Sequence, residues 1–248
     1  MELGLSGRRA LVTGASSGLG LACAQALAAE GAFVAIAARS EQRLASAAAE
    51  IAGDVTSIVA DVSSIEGVAA MVSAAEAALG GIDILIANAG GPPPGNFAEV
   101  ELAQYEPALA LNLLSTVAMC KALVPAMRER GWGRVVAITS ISVREPIDRL
   151  ILSNTARAGL TGFLKTLARE VAGDGVTVNS LQPGLHATER LHGVYGDDLG
   201  TVAADIPAGT LGDPADFGRI AAFLCSDSAK YVTGAAIPVD GGSAHGLQ

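Results

Sequence analysis

The sequence predicts an α/β protein, a single domain over residues 1–248 built on one doubly wound parallel sheet of about seven strands. Three observations predict it. Short apolar runs alternate with longer helical patterns along all 248 residues. Within each run the apolar residues are consecutive, as in strands covered on both faces. A glycine-rich loop, Val12-Thr13-Gly14-Ala15-Ser16-Ser17-Gly18-Leu19-Gly20, follows the first run and opens the first helical pattern.

The elements follow in order. Ala10-Leu11-Val12 is the first strand, and residues 21–28, rich in helix formers, continue the helix that the glycine loop begins. Residues 32–37 form the second strand, with a helix over about 41–51. Residues 55–60 are the third strand, with a helix over about 64–79, and residues 82–87 the fourth. A long helical stretch covers about 102–130, with a bend expected near Pro125. Residues 134–139, 176–181 and 235–239 supply three more strands, and about 152–171 a further helix. Residues 185–212 read as a substrate loop. No internal repeat or low-complexity linker divides the chain.

Composition narrows the function. Half the residues are hydrophobic and only 4% aromatic, which suits close packing of helices on a sheet. A net charge of −9, scattered along the chain, argues against a nucleic-acid surface. No apolar run is expected to reach the ~20 residues of a membrane span, and the N-terminus lacks the pattern of a secretory signal. Cys23, Cys120 and Cys225 are far apart in apolar helical settings, so neither a metal site nor a disulfide is expected. A cytoplasmic protein is the expectation.

The glycine loop carries the first functional signal. A strand, a glycine turn and a helix start can cradle a dinucleotide pyrophosphate. Gly14 permits the tight turn, Gly18 admits the phosphates to backbone N–H groups, and Gly20 lets the helix pack closely. The helix N-terminus, reached through Ser16, Ser17 and Leu19, adds partial positive charge. Alone, the loop would also suit an unliganded strand-to-helix turn, the lesser alternative. After the second strand stands Arg39 in place of an acid that would bind ribose hydroxyls. Its guanidinium can pair with a 2′-phosphate, which favours NADP(H) while leaving NAD(H) as an alternative; a solvated arginine is the plainer reading.

The spacing Thr-Gly-x-x-x-Gly-x-Gly resembles the short-chain dehydrogenase/reductase family, and further motifs match to Gly242. The resemblance implies a Rossmann-like fold and hydride transfer between a nicotinamide cofactor and a carbonyl or alcohol substrate, 3-oxoacyl thioesters included. It implies adenine contacts at Asp61 and Val62 and a ribose contact at Asn88-Ala89-Gly90. It gives Asn112 a place in a proton relay, although a helix Asn satisfied locally is an equal alternative. It assigns the substrate-carbonyl hydrogen bond to Ser140, and the nicotinamide contacts to Pro183, Gly184 and Thr188. It also implies a homo-oligomer, a tetramer. Tyr231-Val232-Thr233-Gly234 and Val239-Asp240-Gly241-Gly242 complete the pattern.

One position departs from the family. Its catalytic Tyr-x-x-x-Lys would begin thirteen residues after Ser140, where this chain has Ser153-Asn154-Thr155-Ala156-Arg157. A Ser hydroxyl is far less acidic than a phenol of pKa ~10. Ser153 and Arg157, four apart, share a helix face. Arg157 can bind ribose hydroxyls but does not readily give up a proton. His186, His192 and Tyr195 are loop candidates for an acid, though ordinary loop roles suit them better. The departure opens a rival reading, a catalytically silent cofactor-binding or scaffold protein. Gly91-Pro92-Pro93-Pro94-Gly95 reads as a stiff segment beside the substrate entry.

Overall fold

The structure, a computed structural model, describes residues 2–246 apart from the side chains of Val194, Tyr195 and Asp197. Its elements are β1 (Arg9–Thr13), α1 (Gly18–Ala29), β2 (Phe33–Ala38), α2 (Glu41–Ala49), β3 (Val55–Val59), α3 (Ile65–Leu79), β4 (Ile84–Ala87), α4 (Tyr105–Leu109), α5 (Ser115–Glu129), β5 (Gly133–Ile138), α6 (Ile151–Val171), β6 (Val176–Pro183), α7 (Glu189–Tyr195), α8 (Leu199–Ala204), α9 (Pro214–Cys225) and β7 (Ala236–Val239). The seven strands pair in parallel in the order β3-β2-β1-β4-β5-β6-β7. The order reverses between β1 and β4, so a crevice opens beyond their carboxyl ends.

Both faces of the sheet are buried, which explains the unbroken apolar runs. Register sets Leu11 beside Ala35 and Leu85, and Val135 beside Leu85 and Val178. These side chains join Met71 of α3, Leu123 of α5 and Leu160 of α6 in one core. The alternate set, Val12, Ile36, Ile86 and Val136, packs with Leu27 of α1, Leu44 of α2 and Phe217 of α9 in the other. The α1–α9 contact is close: a Cβ on Gly218 would lie 2.3 Å from the Ala22 carbonyl oxygen.

Three parts differ from the sequence reading. Pro125, where a bend was expected, does not interrupt the helix and sits within a continuous α5. Pro125 and Lys121, whose carbonyl loses a helical donor, are both exposed, so water can satisfy that oxygen. The departure from α geometry is instead a π turn at Ala110–Leu114, around the buried Asn112. Taken whole, Leu102–Glu129 is long and apolar enough to cross a membrane, contrary to the expectation that no segment would be. Its Leu123, Val124 and Met127 are in fact packed into the core under the sheet, the setting of a buried covering helix. The substrate loop holds two short helices, α7 and α8. The sequence reading had also not drawn α9, which begins at Pro214 behind the Asp213 cap.

Candidate active site

The crevice is built from the switch point outward. Gly14 and Gly18 both take positive φ, 58°, which side chains rarely adopt. A Cβ on Gly20 would lie 2.3 Å from the Gly14 carbonyl oxygen, so α1 can only begin this close to the loop with glycine there. Asn88 locks the turn from β4: its Nδ2 donates to the Gly14 carbonyl at 3.0 Å. Thr13 Oγ1 donates to the Asn88 carbonyl at 2.8 Å and accepts from the Asn88 amide at 2.9 Å. The first turn of α1 holds no acid and Ser17 makes no side-chain cap, so its N–H groups stay available to an anion. Beyond Asn88 and Ala89, a Cβ on Gly90 would meet nothing within 4 Å, leaving open space against the backbone. This cradle fits a dinucleotide pyrophosphate and ribose.

At the β2–β3 end, Arg39 is exposed and its charge helps hold the Asp61 carboxyl below its usual range, after the larger effect of hydrogen bonds from Ser63. Val62 packs against the core. The sequence reading missed Arg43, in the first turn of α2, which bridges to Glu189 of α7 at 2.8 Å. No sequence signal announces a contact 146 residues apart.

The cleft proper is about 400 Å³. Gly14, Ser17, Gly18 and Leu19 line one wall, and Asn88, Ala89 and Gly90 another. Ser140, Ser153, Arg157, Pro183, Gly184 and Thr188 line it too. Ser16, Gly20, Arg39, Asp61, Val62 and Asn112 are not in its walls. Asn112 lies behind: its Nδ2 donates to the Gly90 carbonyl at 2.7 Å, while its buried Oδ1 has no partner among the described residues. Ser140 follows β5 and its Oγ accepts from the Ser142 amide at 3.1 Å. Pro183-Gly184 rests on the turn after β7, where a Cβ on Gly184 would lie 2.8 Å from Asp240 Cα. Thr188 caps α7 and lies over the glycine loop, its Cγ2 3.5 Å from where a Gly18 Cβ would stand.

Arg157 is drawn into the cleft floor. Its Nε donates to Ser153 Oγ at 3.3 Å and its Nη1 to the Ile138 carbonyl at 2.9 Å. The shared helix face expected for this pair is therefore present. Burial, and then the charge of Arg190, pull the Arg157 pKa down to about 10, so it remains cationic at neutral pH. His186, a loop residue in the sequence reading, is buried. It stacks edge-on against Phe217 with ring centroids 5.1 Å apart, and its Nδ1 lies 3.2 Å from the Gly184 carbonyl. Burial holds its pKa below the ordinary value, so it is neutral at pH 7 and poorly suited to act as an acid. His192 is exposed on α7, and the Tyr195 side chain lies outside the described residues.

Comparison with known proteins agrees with this geometry. The family model described as Enoyl-(Acyl carrier protein) reductase matches residues 14–244. The chain is 35% identical over 245 residues to dehydrogenase/reductase SDR family member 4 of Bos taurus, covering 96% of this chain and 88% of that one. It is 33% identical over 240 residues to the 3-oxoacyl-(acyl-carrier-protein) reductase FabG of Haemophilus influenzae, covering 96% and 98%. Among solved structures it is similar to L-sorbose reductase from Gluconobacter frateurii complexed with NADPH and L-sorbose, with a TM-score of 0.93, 35% identity and complete coverage of both chains. Switch-point cradle, seven-stranded parallel sheet and full-length likeness together lead to one conclusion: the chain belongs to the short-chain dehydrogenase/reductase family, as an NAD(P)(H)-dependent oxidoreductase.

Proposed function

We propose that the chain interconverts a small carbonyl compound and its alcohol, with NADP(H) preferred over NAD(H), at an active site of atypical composition. One observation carries this reading: Ser140, Ser153 and Arg157 open into the same cleft as the glycine loop. The loop residues and the α1 N-terminus would hold the pyrophosphate. Arg39 would take the 2′-phosphate, Asp61 and Val62 the adenine, Asn88 to Gly90 the ribose, and Pro183, Gly184 and Thr188 the nicotinamide. The NADPH complex of the sorbose reductase supports that preference. When bound, the cofactor supplies the hydride chemistry.

The chain's own residues orient and polarise the substrate. Ser140 Oγ accepts from Ser142 N, which leaves its hydroxyl hydrogen free to donate to a carbonyl oxygen. A donor placed where negative charge develops is worth about 10²- to 10³-fold in rate. Ser153 and Arg157 stand where the family carries Tyr and Lys. Arg157 holds positive charge at the floor, and Ser153 Oγ accepts its Nε hydrogen bond. Ser153 is not the direct acid; a water held at the unpartnered Asn112 Oδ1 delivers the proton.

Among carbonyl substrates, a 3-oxoacyl thioester draws support from the likeness to the Haemophilus reductase. The Ser153–Arg157 pair favours a second reading, a silent cofactor-binding or scaffold protein. We also place the chain in the cytoplasm as a homotetramer. The small outward residues Ala158, Gly159 and Gly162 on α6 would let helices of two copies approach. A carbonyl and alcohol panel followed by NADPH absorbance, run beside calorimetry with NADPH and NADH, tests the reading. Firm NADPH binding without turnover would favour the silent binder. Equal or tighter NADH binding would refute the cofactor preference.

A further inference from the structure

Arg157 is only 8% exposed, yet no carboxylate pairs with it among the described residues. Its partners are neutral, Ser153 Oγ and the Ile138 carbonyl, and they occupy Nε and Nη1. Nη2 is left without a protein partner among the described residues. A cation taken out of water this far normally finds a counter-charge. Arg190, in the first turn of α7, lines the same cleft. Its guanidinium reaches to the β4 side, where a Cβ on Gly91 would lie 2.7 Å from Nη2. Among the described residues it too has no carboxylate. The two groups are close enough for the charge of Arg190 to lower the pKa of Arg157, after the larger effect of burial. Glu189 is the one acid in the cleft walls among the described residues, and its carboxylate is taken by Arg43. In a chain of net charge −9, this cleft therefore concentrates two cations with no free acid.

We infer that the substrate carries a carboxylate beside its carbonyl group and seats that carboxylate on Arg157 and Arg190. Guanidinium groups bind carboxylates through paired N–H donors, which gives direction as well as charge. With Ser140 holding the carbonyl oxygen in the same cleft, the fitting class is a short 2-oxo or 3-oxo acid, or the corresponding hydroxy acid. Neither an ester nor an acyl thioester offers that charge next to the carbonyl. The inference rests on the oxidoreductase reading and chooses a free acid over a thioester within it.

The test measures binding as well as turnover. NADPH-saturated protein is titrated calorimetrically with 2-oxobutyrate and acetoacetate and with their methyl esters; turnover of each is followed beside it. The acids should bind at least ~10-fold tighter than the esters, as expected when a charged group loses its hydrogen-bonded partner. Arg190→Gln, a change on an exposed helix, should shrink that gap to under ~3-fold, and Arg157→Lys should keep more of it than Arg157→Gln. Should Arg157→Gln fail to fold, Arg190→Gln and Arg157→Lys decide. Equal binding of acids and esters, binding of neither, or a gap that survives Arg190→Gln would overturn the inference. So would an Arg190→Gln protein that loses NADPH affinity while keeping the gap, because the cations would then serve the cofactor phosphates. Preferential acid binding without turnover would uphold the anion site and sink the reductase reading. Reduction of the esters, or of the acetoacetyl thioester of N-acetylcysteamine, as readily as the acids would do the reverse.

Discussion

Asn88→Ala removes a side chain that ties the end of β4 to the glycine turn. The lost bond is Asn88 Nδ2 to the Gly14 carbonyl, 3.0 Å and partly buried. A net hydrogen bond of this kind is worth about 1 kcal/mol, and an acceptor left unpaired costs about 1–3 kcal/mol if water cannot reach it. Asn88 lines the cleft, so water can reach part of the gap, and the expected loss lies near the lower end, about 1–2 kcal/mol. For a chain of this length that is a fall in Tm of about 3–6 °C. The same loosening frees the turn at Gly14, and NADPH affinity should fall about tenfold, the equivalent of ~1.4 kcal/mol. Thr13→Val should behave similarly, since Oγ1 both donates to and accepts from the Asn88 backbone. Because the two residues share one network, the double variant should lose less than the sum of the singles. Thermal unfolding and calorimetric NADPH titration read both quantities. An Asn88→Ala protein with unchanged Tm and a Kd within twofold of the parent would refute the claim that this contact shapes the cradle.

Ser140→Ala should lower turnover of an accepted substrate about 10²-fold or more, and Ser153→Ala by less than about tenfold; equally deep losses would make Ser153 a direct acid–base group. Arg39→Asp should invert the ratio of NADPH to NADH affinity, which competition titrations measure directly; an unchanged ratio would move the 2′-phosphate contact elsewhere. His186, whose folded pKa lies below its unfolded value because of burial, favours the folded state above the unfolded pKa of ~6.5. That contribution is lost as pH falls from there through the lower folded pKa. The parent should therefore lose Tm between about pH 7 and pH 5 more steeply than His186→Gln; parallel slopes would show that His186 does not titrate in that window.

Much of this was legible because the chemistry lies where regular structure ends. The strands announce themselves as apolar runs, since both sheet faces are buried. Glycine is demanded at Gly14, Gly18 and Gly20 by backbone geometry, which a sequence states directly. The spacing of Ser153 and Arg157 places them on one helix face, and the hydrogen bond at 3.3 Å follows. What was not legible depends on distant partners. The π turn around Asn112 exists where its side chain meets the Gly90 carbonyl, 22 residues earlier. Pro125 does not end the helix, because it faces solvent, where water can satisfy the carbonyl that loses its donor. His186 looked like a loop residue because the α9 helix that buries it, through Phe217, had not been drawn. The Asp213-Pro214 start of α9 was the available signal.

The proposed departure at Ser153 and Arg157 then has a consistent electrostatic logic. A Tyr beside a Lys works by lowering a phenol pKa towards neutrality and passing its proton onward. Arg157 at about pH 7 is fully cationic, because even its lowered pKa of about 10 lies well above that. It can therefore stabilise negative charge on a substrate but is a poor link in a proton chain. A Ser hydroxyl next to it gains some acidity and still falls far short of a phenol. In the mechanism we propose, fixed charge and a mobile proton come from different places. The charge sits on the buried guanidinium. The proton would come from water held at Asn112 Oδ1, which has no partner among the described residues. In this division of roles the Ser140 hydrogen bond becomes the contact on which carbonyl polarisation chiefly depends, which is why its removal is expected to cost more than that of Ser153.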